Sequence, residues 1–363
     1  PVYYMPSREA SYYKGFQEME QPTFTVENYG DTLKQLLQQP TIASKEYVYD
    51  QFDSEMNGNT VAGPGAGASV VKIEGHDKAI AISTDCNSRY IYLDPEVGGQ
   101  IAVAEACRNI VAAGAKPLAI TDGLNYGNPT NEEVFWQMEK SIDGISEGCR
   151  TLEVPVISGN VSMYNQSYGE PIFPTPIIGV VGLFESLDHI TPNNFQAAGD
   201  HVYVIGETDA TFGGSELQQV LTGKYEGKAP AIDLQVEKAR QDGLLQAIKA
   251  GVIESAEDVA EGGLGVTLAE KVIRANGLGI NVTLEGDMTA ALFGETQSRF
   301  VVSVKEENVE KFEQLGLDAI KVGVVTEDEQ FVVKSATEEV MTEEVQTLRK
   351  LWKESIAQSL KSN

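Results

Sequence analysis

Residues 117–129 read Pro-Leu-Ala-Ile-Thr-Asp-Gly-Leu-Asn-Tyr-Gly-Asn-Pro. The apolar run predicts a buried strand over residues 117–122 that leads from Asp122 into a loop rich in glycine and asparagine. In sheets with helical crossovers, ligands bind at the carboxyl ends of strands, where such loops gather. Asp122 is therefore a candidate to hold a magnesium ion, or a ribose or amine group of a nucleotide. An ordinary turn, with Asp122 capping backbone amides, explains the same residues equally well.

A second segment of this kind follows a predicted strand at residues 154–158 and reads Ile-Ser-Gly-Asn-Val-Ser over residues 157–162. Gly159 has no Cβ, so backbone amides here can approach a phosphate. Asn160 offers a carbonyl oxygen suited to Mg²⁺, and Ser162 offers a hydroxyl that can donate to a phosphate oxygen. A plain turn with a left-handed Asn accounts for the same pattern, and the residues alone do not exclude it.

Strands and helices alternate on both sides of these segments, which predicts an α/β fold, an α+β domain followed by an α/β domain with mixed sheets. We expect a linker over residues 1–45 with one helix at 31–39, a first domain over 46–192 and a second over 193–363. Further first-domain strands are expected at 69–74, 79–84 and 177–184, and helices at 101–114 and 132–149. In the second domain, strands are expected at 202–206, 280–284, 300–304, 319–325 and 331–334, and helices at 216–221, 235–250, 308–315 and 343–360.

The charge and the hydrophobic pattern of the sequence argue against a nucleic acid or a membrane as partner. The 363 residues include 54 acidic and 27 basic ones, for a formal charge of −27, and no dense basic cluster serves a nucleic acid. A phosphate ligand would need a divalent cation to reconcile it with so acidic a chain. Three scattered cysteines favour a reducing compartment, and no apolar run approaches the roughly 18 residues that cross a bilayer. We therefore expect a cytoplasmic protein that binds neither nucleic acid nor membrane.

Three further segments are weaker candidates. The glycine-rich residues 63–69 and residues 294–299 both precede strands, and neither matches a P-loop, so a structural role is expected for each. Asp258 and Glu261 lie near a predicted helix start and could serve a metal, although Asp258 more simply caps that helix. None of the three histidines pairs with a nucleophile in a recognisable context, so no catalytic residue is assigned. The chain has the features of half a site.

Several motifs occur in one order: Thr-Asp-Cys-Asn-Ser-Arg-Tyr at 84–90, Leu-Asn-Tyr-Gly-Asn-Pro at 124–129, Ser-Gly-Asn-Val-Ser at 158–162, Pro-Thr-Pro-Ile-Ile-Gly at 174–179 and Asp-Val-Ala-Glu-Gly-Gly-Leu at 258–264. This succession resembles the second half of the synthase subunit of phosphoribosylformylglycinamidine synthase, in its short bacterial form. The resemblance extends over essentially the whole chain. It implies a pair of domains of the aminoimidazole-ribonucleotide-synthetase type.

The resemblance also implies a reaction and partners. Such enzymes use ATP and Mg²⁺ to convert formylglycinamide ribonucleotide, with ammonia from a glutaminase subunit, to the amidine. An amino-terminal half of the same subunit and a small accessory subunit complete the assembly. At matching positions, Asp122 and Gly159 would contact ATP, Asn160 would bind Mg²⁺ and Ser162 would contact the substrate.

The chain departs from the family pattern in one place. The first half of such subunits carries His-Asn-His-Pro where this chain has Asp85-Cys86-Asn87-Ser88, so the family's catalytic histidines belong to a segment that this sequence lacks. Together with the missing initiator Met, this predicts a piece of a longer chain that is inactive alone, self-associates, and carries a structural nucleotide cleft. The alternatives are a homodimeric kinase or synthetase of the same superfamily, such as thiamine-phosphate kinase or selenophosphate synthetase, and a non-catalytic scaffold lobe.

Overall fold

The structure is a computed structural model that describes residues 5–54 and 58–361. It contains two large sheets, each at the centre of one domain. The first sheet has six strands in the order β1-β2-β3-β8-β4-β5, and only the β4–β5 pair is parallel. The strands are β1 Thr60–Ala62, β2 Ser69–Lys72, β3 Ala79–Asp85, β4 Lys116–Asn125, β5 Val156–Ser162 and β8 Thr175–Phe184; β6 Gln166–Ser167 and β7 Glu170–Pro171 form a separate hairpin.

Three helices belong to this domain: α4 Ser88–Leu93, α5 Pro95–Ala112 and α6 Glu132–Leu152. Helix α5 begins six residues before the predicted start at residue 101. Asp94 accepts a hydrogen bond from the backbone N–H of Val97 (3.2 Å), and Pro95 fits the first turn because its fixed φ suits a helix start. The helix packs against the sheet and against the second domain, so it lies at the domain junction.

The second sheet has seven strands in the order β10-β12-β9-β13-β11-β14-β15. They are β9 His201–Ile205, β10 Ser255–Asp258, β11 Gly279–Thr283, β12 Phe300–Val304, β13 Ala319–Thr326, β14 Gln330–Lys334 and β15 Glu339–Glu344. The helices are α7 Glu216–Thr222, α8 Leu234–Lys249, α9 Gly263–Arg274, α10 Met288–Phe293, α11 Val309–Glu313 and α12 Val345–Lys361, and two short 3₁₀ turns cover Leu187–His189 and Glu306–Asn308. One hydrophobic core lies on each face of this sheet.

The first 45 residues do more than link domains, which differs from the prediction. They form α1 Tyr13–Glu18 and α2 Tyr29–Leu37, and α3 Glu46–Tyr49 follows directly. Leu33, Leu36 and Leu37 on α2 are fully buried in the core of the second domain. At the other end of the segment, Tyr12 packs on Tyr92 of the first domain, with ring centroids 4.4 Å apart. The segment therefore packs on both domains.

Part of the loop prediction for the two polar segments is wrong. Residues 123–125 continue β4 and residues 159–162 continue β5, because the two strands pair in parallel up to Asn125 and Ser162, whereas residues 126–129 lie outside any strand, as predicted. One face of the sheet carries α5 and α6. The opposite face, here called the open face, has exposed Ile82, Ile177 and Val181. Within the part of the chain that the structure describes, no helix is long and apolar enough to cross a membrane.

Candidate functional site

The predicted ATP contacts, Asp122 and Gly159, lie side by side on β4 and β5. Asp122 alternates with the buried residues Ile120 and Leu124, so its side chain lies on the helix-covered face of the sheet. A Cβ at position 159 would overlap the Asp122 carboxylate, so any larger residue there would displace this side chain. Burial raises the pKa of Asp122 above its ordinary value.

Asn160 and Ser162 lie on the opposite, open face. Asn160 pairs with Gly123, one residue beyond the Asp122–Gly159 pair on each strand. Ser162 pairs with Asn125, three residues beyond that pair. Because successive residues of a strand point to opposite faces, the sheet separates these two side chains from Asp122. Ser162 Oγ accepts a hydrogen bond from Asn165 Nδ2 (3.1 Å). The structure thus brings the four predicted residues onto neighbouring strands, but not onto one face of the sheet.

A second candidate lies at the domain junction, where three parts of the chain enclose an acidic cavity of about 420 Å³. The amino-terminal segment contributes residues 42–45 and the glycine-rich loop contributes residues 65–67. The acidic lining comes from both domains: Asp85, Glu105, Glu257, Asp258, Glu261 and Glu270. We call this space the junction cavity.

The pKa values of three carboxylates that line the junction cavity, Asp85, Glu105 and Asp258, are raised. Burial, and then the charges of neighbouring carboxylates, raise the pKa values of Asp85 and Glu105 well above the ordinary range. Burial also raises the pKa of Asp258 to about 7, although Arg108 opposes the shift. Asp258 is 8% exposed, and its Oδ2 atom has no hydrogen-bond partner among residues 5–54 and 58–361. A buried carboxylate oxygen without a partner is costly, and a bound cation would remove that cost.

Asn109 connects the cavity wall to the glycine-rich loop. Its Nδ2 donates to Asp85 Oδ2 (3.1 Å) and to the backbone carbonyl of Glu105 (3.2 Å). Gly67 approaches the other side of the same amide so closely that a Cβ there would overlap Asn109 Oδ1. The loop predicted to be structural therefore lies against the candidate site.

The donor set fits magnesium better than a transition metal. Over the described ranges 5–54 and 58–361, no three or more His, Cys, Asp or Glu side chains are grouped so that they could hold a metal ion by themselves. Mg²⁺ does not need one, because it keeps several waters and uses one or two carboxylates together with phosphate oxygens. One or two of Asp85, Glu105 and Asp258 would hold such an ion together with phosphate oxygens, and the ion would neutralise both the carboxylates and a bound phosphate.

Sequence reasoning misses most of this cavity. The spacing of Glu105 and Asn109 is an available signal, because residues four apart lie on one face of a helix. The interpretation of Asp258 as a helix cap is wrong: α9 begins after Gly262, without a side-chain cap. Glu261, the other carboxylate considered there, does line the cavity.

Comparison with known families agrees with this two-domain architecture. Residues 65–184 match the N-terminal domain of AIR synthase related proteins, and residues 197–335 match the C-terminal domain of the same family. The chain belongs to the AIR synthase related proteins. The α/β architecture with mixed sheets, predicted from the sequence, is thereby confirmed for this AIR synthase related protein.

Solved structures share the fold. A Thermotoga maritima PurL chain complexed with FGAR matches with a TM-score of 0.73 and 20% identity over 90% of this AIR synthase related protein. The match covers 54% of that PurL chain, so the present chain spans about half its length. A PurL chain complexed with ATP matches with a TM-score of 0.71 and 21% identity, over 90% of this chain and 52% of that one. A chain of a HypE–HypF complex matches with a TM-score of 0.60 and 17% identity, over 82% of this chain and 97% of that one.

Proposed function

We propose that this chain is the carboxy-terminal lobe of a phosphoribosylformylglycinamidine synthase. The whole enzyme would be an ATP-dependent C–N ligase of purine biosynthesis that converts formylglycinamide ribonucleotide and glutamine-derived ammonia to the amidine. The ordered motifs support this assignment, as does the length relation to the T. maritima PurL chains. We place the enzyme in the cytoplasm.

The observation that carries a nucleotide role is the unpartnered Oδ2 atom of Asp258 in the junction cavity. Asp85 and Glu105, whose carboxylate oxygens can bind a metal, line the same cavity. The glycine-rich loop approaches Asn109, which also lines this cavity. Mg²⁺ in this cavity would allow a polyphosphate to bind to a chain of charge −27. In this proposal the ATP- and Mg²⁺-binding features of the lobe lie at the junction cavity and at the β4–β5 edge.

Asn160 and Ser162, the two predicted residues on the open face, fit a site shared with a second body. Asn160 and Ser162 belong to the edge strand of a sheet whose open face carries the exposed apolar residues Ile82 and Val181. A body packed on that face would complete a cleft for substrate beside Ser162 and for metal beside Asn160. We propose that this body is the amino-terminal half of the same subunit, with the glutaminase and the small accessory subunit binding the completed enzyme. The lobe alone would then bind ligands without turnover.

A complete homodimeric kinase or synthetase is the second candidate. It is favoured by the coverage of two structural relatives: 97% of the HypE–HypF chain above, and 90% of a ThiL chain complexed with AMPPCP and TMP. The ThiL chain matches with a TM-score of 0.52 and 20% identity over 76% of this chain. ATP hydrolysis by the isolated chain would support this candidate against the lobe.

Calorimetric titration with ATP and ADP, with Mg²⁺ and with EDTA, tests the proposal. One double variant, Glu105→Gln with Asp258→Asn, changes the junction cavity; another, Asp122→Ala with Asn160→Ala, changes the sheet edge. The control is Asp143→Asn, which removes an exposed carboxylate paired only with Lys140 among the ion pairs of the described residues. We expect Mg²⁺-dependent binding that the cavity variant loses and the control keeps. Equal binding by all variants would contradict the proposed binding sites. Turnover by the isolated chain would contradict its assignment as a lobe that is inactive alone.

A further inference from the structure

Arg108 contacts carboxylates of both domains at the wall of the junction cavity. It is on α5 and fully buried. Its Nη1 donates to Glu237 Oε2 on α8 (2.8 Å), and its Nη2 donates to Gln297 Oε1 in the loop before β12 (2.9 Å). These two hydrogen bonds fix the guanidinium to the second domain.

Toward the cavity, the same guanidinium makes only long contacts. Its Nη2 lies 3.6 Å from Glu105 Oε2, and its Nε lies 3.8 Å from Asp258 Oδ2. Neither Arg108 Nε nor Asp258 Oδ2 has a hydrogen-bond partner in the described part of the chain. At 3.8 Å the ion pair with Asp258 Oδ2 is too long to be a hydrogen bond, so this oxygen keeps its capacity to bind a further ligand.

We propose that Arg108 is a positioning residue for the cation of the junction cavity. Held by Glu237 and Gln297, its fixed positive charge sets the orientation of Glu105 and Asp258 across the domain boundary and leaves Asp258 Oδ2 free to bind a divalent ion. The inference rests on the function proposed above, because it requires a cation in this cavity. It also makes cation binding depend on the contact between the two domains, since Glu237 and Gln297 belong to the second domain and Arg108 to the first.

Simple electrostatics predicts the opposite result when the charge is removed. Arg108 is a cation close to a cation site, so its removal alone should strengthen binding of a second cation through lost repulsion. If Arg108 positions the ligands, its removal weakens binding despite that gain. Loss of a residue that orients metal ligands typically lowers metal affinity about 10- to 100-fold. In a variant that also removes a neighbouring negative charge, electrostatics alone predicts little change in binding, whereas the positioning role predicts weaker binding.

The experiment measures Mn²⁺ binding to the full chain by electron paramagnetic resonance and by calorimetry. Arg108→Gln alone leaves Glu237 as an unpaired buried charge and can prevent folding. The main variant is therefore Arg108→Gln with Glu237→Gln, which removes one charge of each sign and leaves the net charge unchanged. Arg108→Lys keeps the positive charge but loses the planar fork that reaches both Glu237 and Gln297. The control is Arg150→Gln, at an exposed position paired with Glu147.

We expect the double variant to bind Mn²⁺ at least about tenfold more weakly than the wild type, Arg108→Lys to remain weakened, and the control to match the wild type. Equal or tighter binding by a folded double variant overturns the role of Arg108 and leaves the cation site standing. Full binding by Arg108→Lys would show that only the positive charge of Arg108 matters, and would also overturn the inference. No Mn²⁺ binding by the wild type overturns both the inference and the proposed site.

Discussion

The carboxylate of Asp122 occupies the space into which a Cβ of Gly159 would project. The two residues are register partners on parallel strands, and β5 is the edge strand of its sheet. The backbone of Gly159 therefore lies directly beside the half-buried carboxylate of Asp122, whose pKa is raised by burial. The Asp122 carboxylate can keep this position beside the backbone only while position 159 is glycine.

Gly159→Ala should displace the Asp122 carboxylate and weaken any nucleotide binding at the sheet edge. The overlap should also cost about 1–3 kcal/mol of the free energy of unfolding, as overpacking does elsewhere. Urea denaturation and nucleotide calorimetry measure the two effects. Gly15→Ala is the matched control, because a Cβ there would meet no other described residue within 4 Å beyond its chain neighbours and the backbone of its own helix. Unchanged stability and binding in Gly159→Ala would mean that Asp122 moves aside freely.

Leu36→Ala should destabilise the second domain by about 2–5 kcal/mol, the usual cost of a large-to-small change in a core. Leu36 is fully buried among residues of that domain. Urea unfolding followed by circular dichroism measures the change. Leu360→Ala serves as control, because Leu360 is 58% exposed. A loss as small as that of the control would show that residues 1–45 act only as a linker.

The isolated chain should self-associate through the open face of its first sheet. Ile82 and Val181 are register partners on that face, and both are exposed. Val181→Glu should lower the sedimentation coefficient toward that of a monomer, because it places a charge in an apolar contact. Leu360→Glu, on α12, should not change it. A monomeric wild type, or a Val181→Glu variant that still associates, would show that this face does not mediate association.

The buried groups whose pKa values lie near 7 should together contribute least to stability near pH 7 when divalent cations are absent. Burial raises the pKa values of Asp258, Glu270 and Glu295 to about 7. The folded chain therefore binds protons that the unfolded chain has released, and stability falls as pH rises from about 4 to 7. Burial lowers the pKa of Lys271 to about 7, so the unfolded chain keeps that proton above pH 7 and stability rises again.

Urea midpoints between about pH 5 and pH 8.5 test this dependence. We expect Lys271→Met to abolish the rise above pH 7, since the titrating amine is then absent. Added Mg²⁺ should stabilise the wild type most at the upper end of the range, because cation binding needs ionised carboxylates. A midpoint that rises steadily across the whole range would contradict the assignment of raised pKa values to these three acids.

Local pattern predicted much of the fold. The helices predicted at residues 132–149 and 235–250 are present as α6 and α8, because amphipathic periodicity and capping residues act within a few turns. The predicted strand at residues 300–304 is β12 without change. Features that depend on neighbouring residues alone were therefore predictable from the sequence.

Strand pairing lay beyond such patterns. Residues 159–162 have the composition of a loop, yet they form a strand because β4 supplies parallel partners as far as Asn125. That same pairing places Asp122 on one face and Asn160 on the other, since adjacent positions of a strand alternate. Which polar residues share a face therefore depended on a register that only the assembled sheet establishes.

The sequence by itself determined the alternation of strands and helices, the acidic charge and the motifs that carry the family resemblance. Tertiary structure alone decided that Asp85, Glu105 and Asp258, which are up to 173 positions apart in the chain, line one cavity. It also placed Arg108 among them, fully buried between two domains. The physical reason is that desolvation and charge–charge repulsion depend on distance in space, and residues this far apart in sequence meet only after both domains have packed on α5.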